Sequence, residues 1–455
     1  MLNVATRFPS DAVFGESTDW LDPDAVLEAV RSRAVDIEER QRLAWRSCRM
    51  IEALYHPGRY LRAAYVLTED SDVPAARAWP EGQVIYLNYP VRRPVSRRGA
   101  VIDLGGVEAE VYCFPNDRRL RGLRKFAGRV DAVRQWQSWL DERGNDFRID
   151  PDSLQRLLVR YVPEQKWVVR IRAQSVPDDA GASTKRRIAV RSAAPEACRK
   201  LAARHRALSH LASDGSMPFG VPRVVGLAES DAILATEWIR GQKLTETLSA
   251  GDDAASIARV ASILAELHSL PIGGLDVLTP QHTLGQVQHA VSDLTVACPD
   301  EKARLGTLAD KLERRLATVD PVAPVSLHND FHWNQLTIKK DRWTLLDLER
   351  MASGDPMVDV ANFAMQLRTL GDRPEIDVTA NQALRWAGLF LEAWRRLGRT
   401  QIDADRFRSY AVVSLLQLAR GMMRHLRPGW ADLTRCCLDR AETLLNQTGG
   451  QVTLS

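Results

Sequence analysis

The sequence lacks the features that mark a secreted, membrane-bound or metal-clustered protein. No uninterrupted apolar run approaches the roughly 20 residues that a membrane span needs, and Met1–Leu21 has no basic start followed by an apolar core. The six cysteines fit neither a zinc nor a redox spacing, and the adjacent Cys436 and Cys437 are expected to pack inside a helix. These absences predict a reduced, cytoplasmic protein with no membrane partner.

The charge balance also excludes a class of partners. The 455 residues include 62 Lys and Arg against 58 Asp and Glu, a net charge of +4 that argues against a dedicated polyanion partner. The basic run Arg118–Lys125 has no interleaved aromatic residues, so we interpret it as a solvated helix face and predict no nucleic-acid binding. The length is enough for about two to three domains with large cores.

What the sequence does contain is an ordered series of polar residues between Ser326 and Phe363. Kinase-type chemistry needs an Asp that faces the acceptor hydroxyl, and two oxygen ligands for Mg²⁺, one from the loop of that Asp and one from a later strand end. Carboxylate and carboxamide oxygens are ligands that Mg²⁺ accepts. The series supplies these groups in order: His328, Asp330, Gln335, Asp347, Gly354, Asp355 and Asp359.

This series resembles the catalytic core of the aminoglycoside phosphotransferase and choline kinase-like family, small-molecule relatives of the protein kinases. The family pattern is H-G-D-x-x-x-x-N, then a strand that ends in D-x-E, then G-D-P-x-x-D. The resemblance implies an ATP-dependent phosphotransferase that transfers the γ-phosphate of ATP to a small-molecule hydroxyl with Mg²⁺. It assigns catalysis to Asp330 with His328 positioning the loop, metal binding to Gln335 and Asp347, and structural support to Gly354, Asp355 and Asp359.

Two residues depart from the family pattern. Gln335 stands where the family has Asn, and it keeps the carbonyl oxygen while adding one methylene. Asn329 stands where the family usually has Gly, and Asn is a residue that tolerates unusual backbone angles. His332 is interpreted as a loop residue, with a place near the phosphates as the alternative.

The order of predicted elements indicates an α+β, bilobal protein kinase-like fold, with a small β-rich lobe, a large helical lobe and an extra N-terminal α/β region. We predict an N-terminal segment over 1–35, an additional β-rich domain over 36–148, a small lobe over 149–240 and a helical catalytic lobe over 241–455. Residues Glu38–Ala53 are predicted to be helical. The stretches Leu54–Arg62 and Arg160–Arg170 share a Tyr-x-Pro followed by a β-run, so 36–148 is either a degenerate copy of the small lobe or similar by chance.

The segment Thr236–Leu244 resembles the family's hinge. By that resemblance, backbone groups near Glu237, Trp238 and Ile239 would bind adenine, and Gly241 would let the chain turn. A kinase small lobe also carries a Lys that grips the α- and β-phosphates, paired with a Glu on the next helix. Here Arg191 is the nearest basic candidate, and the helix predicted over Pro195–Leu211 has its Glu in the first turn.

Three functions remain open at this point. The first is the small-molecule kinase, the second a pseudokinase that binds a nucleotide or partner without catalysis, and the third a kinase acting on Ser or Thr of a peptide. The acceptor is not identified by the sequence, nor is the oligomeric state. The acids Glu375, Asp377, Glu392, Asp403 and Asp405 could attract a cationic acceptor beside a wall of Trp386 and Trp394, but they alternate with arginines and are interpreted as solvated helix faces, with the tryptophans in the core.

Overall fold

Two compact units make up the part of the chain that is described. The first contains the described residues between 21 and 203 together with Arg223–Trp238, and the second contains those of Arg204–Pro222 and of the chain from Ile239 onward. None of the described helices is long and apolar enough to cross a membrane. The computed structural model describes residues 11, 21–33, 44–69, 83–91, 99–104, 106–120, 122–177, 181–212, 217–251, 253–398 and 402–447.

The first unit contains two five-stranded antiparallel sheets with the same strand order. The first sheet has the order β1-β2-β3-β5-β4 and the second β6-β7-β8-β10-β9. Buried aromatic and aliphatic side chains from both sheets form one hydrophobic cluster, which includes Tyr86 and Trp167. The strands are β1 Ser47–His56, β2 Tyr60–Thr68, β3 Val84–Tyr89, β4 Ala100–Leu104, β5 Val107–Cys113, β6 Gln155–Val162, β7 Lys166–Gln174, β8 Lys185–Ser192, β9 Val224–Ala228 and β10 Ile233–Glu237.

Helices connect these strands. Helix α1 (Pro23–Arg33) precedes the first sheet, and α2 (Gly122–Ala127) and α3 (Arg129–Asp141) lie between the sheets in sequence. Helix α4 (Pro195–Leu211) is inserted between β8 and β9, and its bounds are those predicted from the sequence. The position of α4 between the third and fourth strands of its sheet is the connectivity expected for a kinase small lobe.

The repeated Tyr-x-Pro sequence falls at equivalent places in the two sheets. Each copy ends the first strand of a sheet, and the Pro opens the turn into the second strand. The residue after the Pro has a positive φ in both turns, 64° at Gly58 and 59° at Glu164. The shared order and turn support the interpretation of 36–148 as a copy of the small lobe, and the four predicted domain boundaries remain predictions.

Glu164 occupies a backbone conformation that normally favours glycine, and a buried ion pair accompanies it. Its carboxylate lies 2.9 Å from the guanidinium of Arg62 on β2, and both side chains are almost completely buried. Arg118 approaches the same carboxylate at 3.3 Å. Because a buried charge without a partner is costly, these contacts tie the turn of the second sheet to the first sheet.

The predicted helix over Glu38–Ala53 is wrong for its described part. Ser47–His56 is β1, which pairs in register with β2 from Ser47 opposite Thr68 to His56 opposite Tyr60. The residues before Ala44 in that prediction lie outside the described chain. The apolar residues of this stretch fit both a helical and an extended period, and the neighbouring strand decides between them.

The second unit is mainly helical and carries two small sheets. Strands β11, β13 and β14 form one sheet, and β12 pairs with β15 in the other. The helices are α5 Leu244–Ser249, α6 Asp253–Ser269, α7 Pro280–Ala297, α8 Lys302–Ala317, α9 Met357–Arg368, α10 Ala380–Leu397, α11 Ala404–Arg424 and α12 Trp430–Asn446. The strands are β11 Gln242–Lys243, β12 Val325–Leu327, β13 Leu336–Lys339, β14 Arg342–Leu345 and β15 Ala352–Gly354.

Gly241 was expected to let the chain turn, and the structure gives a different reason for it. A Cβ at this position would lie 2.4 Å from the carbonyl oxygen of Ile338. The glycine therefore allows β11 to approach β13 closely, because any side chain would collide with the backbone of that strand.

Candidate active site

The candidate catalytic loop is the segment between two strands of the second unit. Strand β12 ends at Leu327, and β13 begins at Leu336, so the intervening residues 328–335 form the loop. The loop contains Asp330, whose side chain is about one-third exposed at 30%. This places the predicted catalytic carboxylate on an accessible loop that begins and ends in a sheet.

A buried carboxylate fixes the start of this loop. Asp359 on α9 is completely buried, and it accepts hydrogen bonds from the backbone N–H groups of His328 (2.7 Å) and Asn329 (2.8 Å). Nε2 of His268, at the end of α6, lies 3.2 Å from the same carboxylate. Hydrogen bonds to a charged acceptor are stronger than neutral ones, so this arrangement holds the two residues before Asp330 in one conformation.

His328 joins the loop to the segment that contains Asp347. Its ring is buried, and Nε2 donates to the carbonyl oxygen of Leu346 at 2.9 Å. Leu346 is the residue before Asp347, so one histidine links the two segments that were predicted to form the site.

Asn329 adopts the left-handed conformation, with φ at 58°. Its Nδ2 also donates to the carbonyl oxygen of Arg350 at 3.0 Å. The family's usual Gly at this position has the same conformational freedom, which explains how Asn can replace it.

This conformation makes a specific prediction for stability. Asn329→Val is expected to lower the free energy of unfolding by at least about 1–2 kcal/mol, because a β-branched residue is strained at positive φ. Asn329→Gly is the matched control and should cost no more than about 1 kcal/mol, since it loses only the side-chain hydrogen bond. Urea unfolding of the two variants checks the difference, and equal stabilities would contradict the assigned backbone strain.

The two predicted metal ligands lie at adjacent strand ends. Gln335 is the residue before β13, and one residue, Leu346, separates Asp347 from the end of β14. The backbone N–H of Leu346 donates to the carbonyl oxygen of Gln335 at 2.8 Å, which brings the two segments together. Asp347 also has a positive φ of 56°.

His332 contacts Gln335 within the loop. The amide Nε2 of Gln335 lies 2.9 Å from Nε2 of His332, and the backbone N–H of Asn334 points to Nδ1 of the same ring at 3.2 Å. Burial, followed by the nearby His328 and Arg373, lowers the pKa of His332 to about 3, so the ring is neutral near pH 7. A neutral ring has one acceptor nitrogen, so it accepts from only one of these two N–H groups.

The donor set at this place fits Mg²⁺. A carboxamide oxygen and a carboxylate are hard ligands, and Mg²⁺ is usually held by one or two carboxylates with substrate phosphates and waters. Within the described residues there is no group of three or more His, Cys, Asp or Glu that could hold a metal ion. Gln335 and Asp347 therefore fit a cation that is shared with a bound phosphate group.

Gly354 and Asp355 support the neighbouring backbone. A Cβ on Gly354 would lie 3.1 Å from the side chain of Leu327, so the glycine allows β15 to pack closely against the strand before the loop. Asp355 accepts from the N–H of Met357 at 2.9 Å at the start of α9, and it pairs with Arg406 at 3.0 Å. The contacts of Asp355 are consistent with its predicted structural role.

The predicted nucleotide-binding residues are divided between the units. Arg191 on β8, Glu237 and Trp238 belong to the first unit, and Ile239 begins the next segment of the second. The N–H group of Glu237 donates to the carbonyl oxygen of Arg223 (2.9 Å), and that of Trp238 donates to the carbonyl oxygen of Arg187 (3.2 Å). Adenine binding by these residues therefore remains a prediction. It would use their carbonyl groups and the backbone of Ile239.

Sequence reasoning missed several residues of the site. His268 contacts Asp359, Nδ2 of Asn362 donates to the carbonyl oxygen of Phe331 (2.9 Å), and a guanidinium nitrogen of Arg350 lies 3.8 Å from Asp330. Asn362 occurs three residues after Asp359, one turn along the same helix, and this spacing is the one signal that could have indicated it.

A sheet-rich unit followed by a helical unit with this anchored Asp loop defines a protein kinase-like phosphotransferase fold. Residues 154–398 match the model of the phosphotransferase enzyme family APH, and the chain belongs to this family. Residues before 154 lie outside the match. No curated protein matches the chain.

Solved structures that are similar to this chain include the following three. A choline/ethanolamine kinase family protein from Mesorhizobium loti is 14% identical (TM-score 0.43) and is aligned over 64% of this chain and 88% of its own. The protein of the streptomycin–ATP–APH(2")-IIa ternary complex is 14% identical (TM-score 0.44), and the alignment covers 69% of this chain and 98% of that one. Amicoumacin kinase hAmiN in complex with AMP-PNP, Ca²⁺ and Ami is 12% identical (TM-score 0.44), and the alignment covers 69% of this chain and 95% of that one.

Proposed function

We propose that the protein is an ATP-dependent phosphotransferase that acts on a hydroxyl group of a small molecule. The observation that carries the proposal is the loop geometry: Asp359 anchors the two residues before Asp330, and the backbone bond from Leu346 joins Gln335 to the segment of Asp347. These contacts support a site in which a carboxylate for the acceptor and two oxygen ligands for a cation lie close together. Phosphoryl transfer is catalysed mainly by such positioning and charge stabilisation.

In the reaction, the acceptor oxygen attacks the γ-phosphorus while the bond from the γ-phosphorus to the β–γ bridging oxygen breaks. ADP leaves with the bond's electrons, and the hydroxyl proton passes to Asp330. His328 and Asn329 hold Asp330 in place through Asp359. A Mg²⁺ ion bound by Gln335 and Asp347 would neutralise charge on the β- and γ-phosphates.

One observation favours a pseudokinase as the second candidate. Lys185, the one lysine of β8, stands at the first residue of the strand, and Glu196 in the first turn of α4 lies 3.6 Å from Lys200 on the same helix. That Glu is thus engaged locally, whereas kinases use a Glu of this helix to hold the phosphate-binding Lys. Arg191 is a different kind of phosphate ligand from Lys, planar and bidentate.

The first test is Mg²⁺-dependent nucleotide binding. Asp347→Ala is expected to remove the increase in melting temperature that ATP with Mg²⁺ causes in the wild type, and to lower turnover by about 10²–10³-fold, because one preorganised charge at the phosphates is lost. EDTA should have the same effect on the wild type. Thermal shift and ATP consumption are measured across hydroxylated acceptors, including aminoglycosides, choline, sugars, amino acids and Ser/Thr peptides.

Asp341→Ala is the matched control, since Asp341 is an exposed carboxylate in the turn between β13 and β14. It should bind nucleotide like the wild type. Nucleotide binding with no acceptor-dependent turnover would favour the pseudokinase, and unchanged binding in Asp347→Ala would refute the metal assignment. Turnover confined to the peptides would support the peptide kinase.

A further inference from the structure

Two guanidinium groups lie beside the catalytic loop. The side chain of Arg350 is 64% exposed, and one of its nitrogens is 3.8 Å from Oδ1 of Asp330. Its backbone carbonyl accepts from Nδ2 of Asn329, so the residue is fixed at its main chain while its head faces solvent next to the catalytic carboxylate. A group that reached Asp330 from solvent would meet this positive charge.

Arg373 is the second group, and the charges of Glu375 and Asp372 act on it. Its guanidinium lies 5.9 Å from the ring centre of Trp333, in the loop, and donates to Oε1 of Gln366 at 2.9 Å. Its Nε is buried without a hydrogen-bond partner, and burial lowers its pKa. The adjacent Asp372 is occupied by Arg440 through two bonds of 2.6 and 2.9 Å. Among the described residues Arg373 forms no ion pair.

Both guanidinium groups therefore lie at the same loop. Arg350 approaches Asp330, and Arg373 approaches Trp333, three residues further along the chain.

The features that could have favoured a cationic acceptor are used elsewhere. Trp386 and Trp394 are 1% and 2% exposed, so they belong to the core and form no wall of a site. Glu392 pairs with Arg396 on the same helix, Asp403 caps α11, and Asp405 pairs with Arg408 at 3.0 Å. These three acids are engaged elsewhere, whereas the charge of Glu375 acts on Arg373.

We propose that the acceptor is an anionic hydroxy compound, whose carboxylate or phosphate pairs with Arg373 and Arg350 while its hydroxyl faces Asp330. A planar guanidinium matches both anions through paired hydrogen bonds, and a buried guanidinium gains most from such a partner. The inference rests on the proposed function, because it names the class of acceptor for the same site.

Turnover of matched acceptors tests the inference. The pairs differ in charge and retain a hydroxyl: gluconate with sorbitol, serine with ethanolamine, and glycerol 3-phosphate with glycerol. The acidic members should have the higher kcat/KM, and Arg373→Gln should raise their KM by about tenfold to a hundredfold with the KM for ATP unchanged, as expected for a charge-assisted hydrogen bond. Arg373→Lys keeps the charge and should retain part of the preference. The carboxylate and phosphate pairs show which anion is bound.

Arg396→Gln is the matched control, an exposed arginine that pairs with Glu392 on the surface of α10. It should leave the preference intact. Better turnover of the neutral or cationic members would overturn the inference. An Arg373→Gln variant that is less stable but keeps the wild-type ratio of acidic to neutral turnover would also overturn it, since Arg373 would then have only a structural role.

Anion binding is also measured without catalysis. Inorganic phosphate, gluconate and serine should raise the melting temperature of the wild type and of Arg396→Gln more than that of Arg373→Gln and Arg350→Gln. Equal shifts in all four proteins, or none, would overturn the inference. Arginine-dependent shifts without ATP turnover would support the anion site while the proposed phosphotransferase failed.

Discussion

Asp330→Asn is expected to lower kcat by about 10²–10⁴-fold, the usual contribution of a group that accepts a proton in the transition state. Asn keeps the size and most hydrogen bonds of Asp but cannot take the proton of the acceptor hydroxyl. The affinity for ATP with Mg²⁺ should change little, because Gln335 and Asp347 remain in place. Steady-state kinetics with a saturating acceptor gives kcat, and isothermal titration calorimetry gives the ATP affinity.

Asp341→Asn makes the same chemical change on an exposed turn of the same unit and should leave kcat unchanged. Wild-type turnover in Asp330→Asn would eliminate Asp330 as the base. A loss of ATP affinity as large as the loss of kcat would instead assign Asp330 to nucleotide binding.

The parts of the site that the sequence predicted are those set by short-range chemistry. Asn329 was expected to tolerate an unusual backbone angle, and its φ of 58° confirms this. The position of Asp347 after a buried strand was predicted as well, since β14 ends at Leu345. Such features depend on the conformational preferences of a few consecutive residues, which a sequence displays directly.

Features that depend on distant partners were not predictable in this way. His268 is 91 residues from Asp359 in the chain, and only the folded structure brings its ring to that carboxylate. Ser47–Ala53 was predicted as part of a helix, whereas pairing with β2 fixes these residues in the extended form. The contact between Arg350 and Asp330 likewise depends on how β12 and β15 pair.

The two sheets of the first unit share a strand order but differ in the connection after their third strand. β3 ends at Tyr89 and β4 begins at Ala100, whereas the 17-residue helix α4 separates β8 from β9. That residues 36–148 are a copy of the small lobe remains a prediction.

Asp359→Ala is expected to be the most damaging single change outside the catalytic carboxylate. The variant leaves the buried N–H groups of His328 and Asn329 without their acceptor, and each unpaired donor costs about 1–3 kcal/mol. The free energy of unfolding should fall by about 3–5 kcal/mol, as for a buried charge interaction that loses one partner. Asp330 would no longer be held in position, so kcat should fall even at temperatures where the variant is folded. Urea unfolding and kinetics at low temperature separate the two effects.

Asp359→Asn distinguishes the role of the carboxylate from that of its volume. The carboxamide retains one acceptor oxygen, and its NH₂ group would face the backbone N–H of Asn329 in one orientation and that of His328, with Nε2 of His268, in the other. Asn should therefore restore little of the stability. Asp432→Ala, an exposed acid in the first turn of α12, is the surface control and should stay within about 0.5 kcal/mol of the wild type. If Asp359→Asn were as stable and active as the wild type, the loop would be held by packing rather than by charge, and the conformation of Asp330 would need another cause.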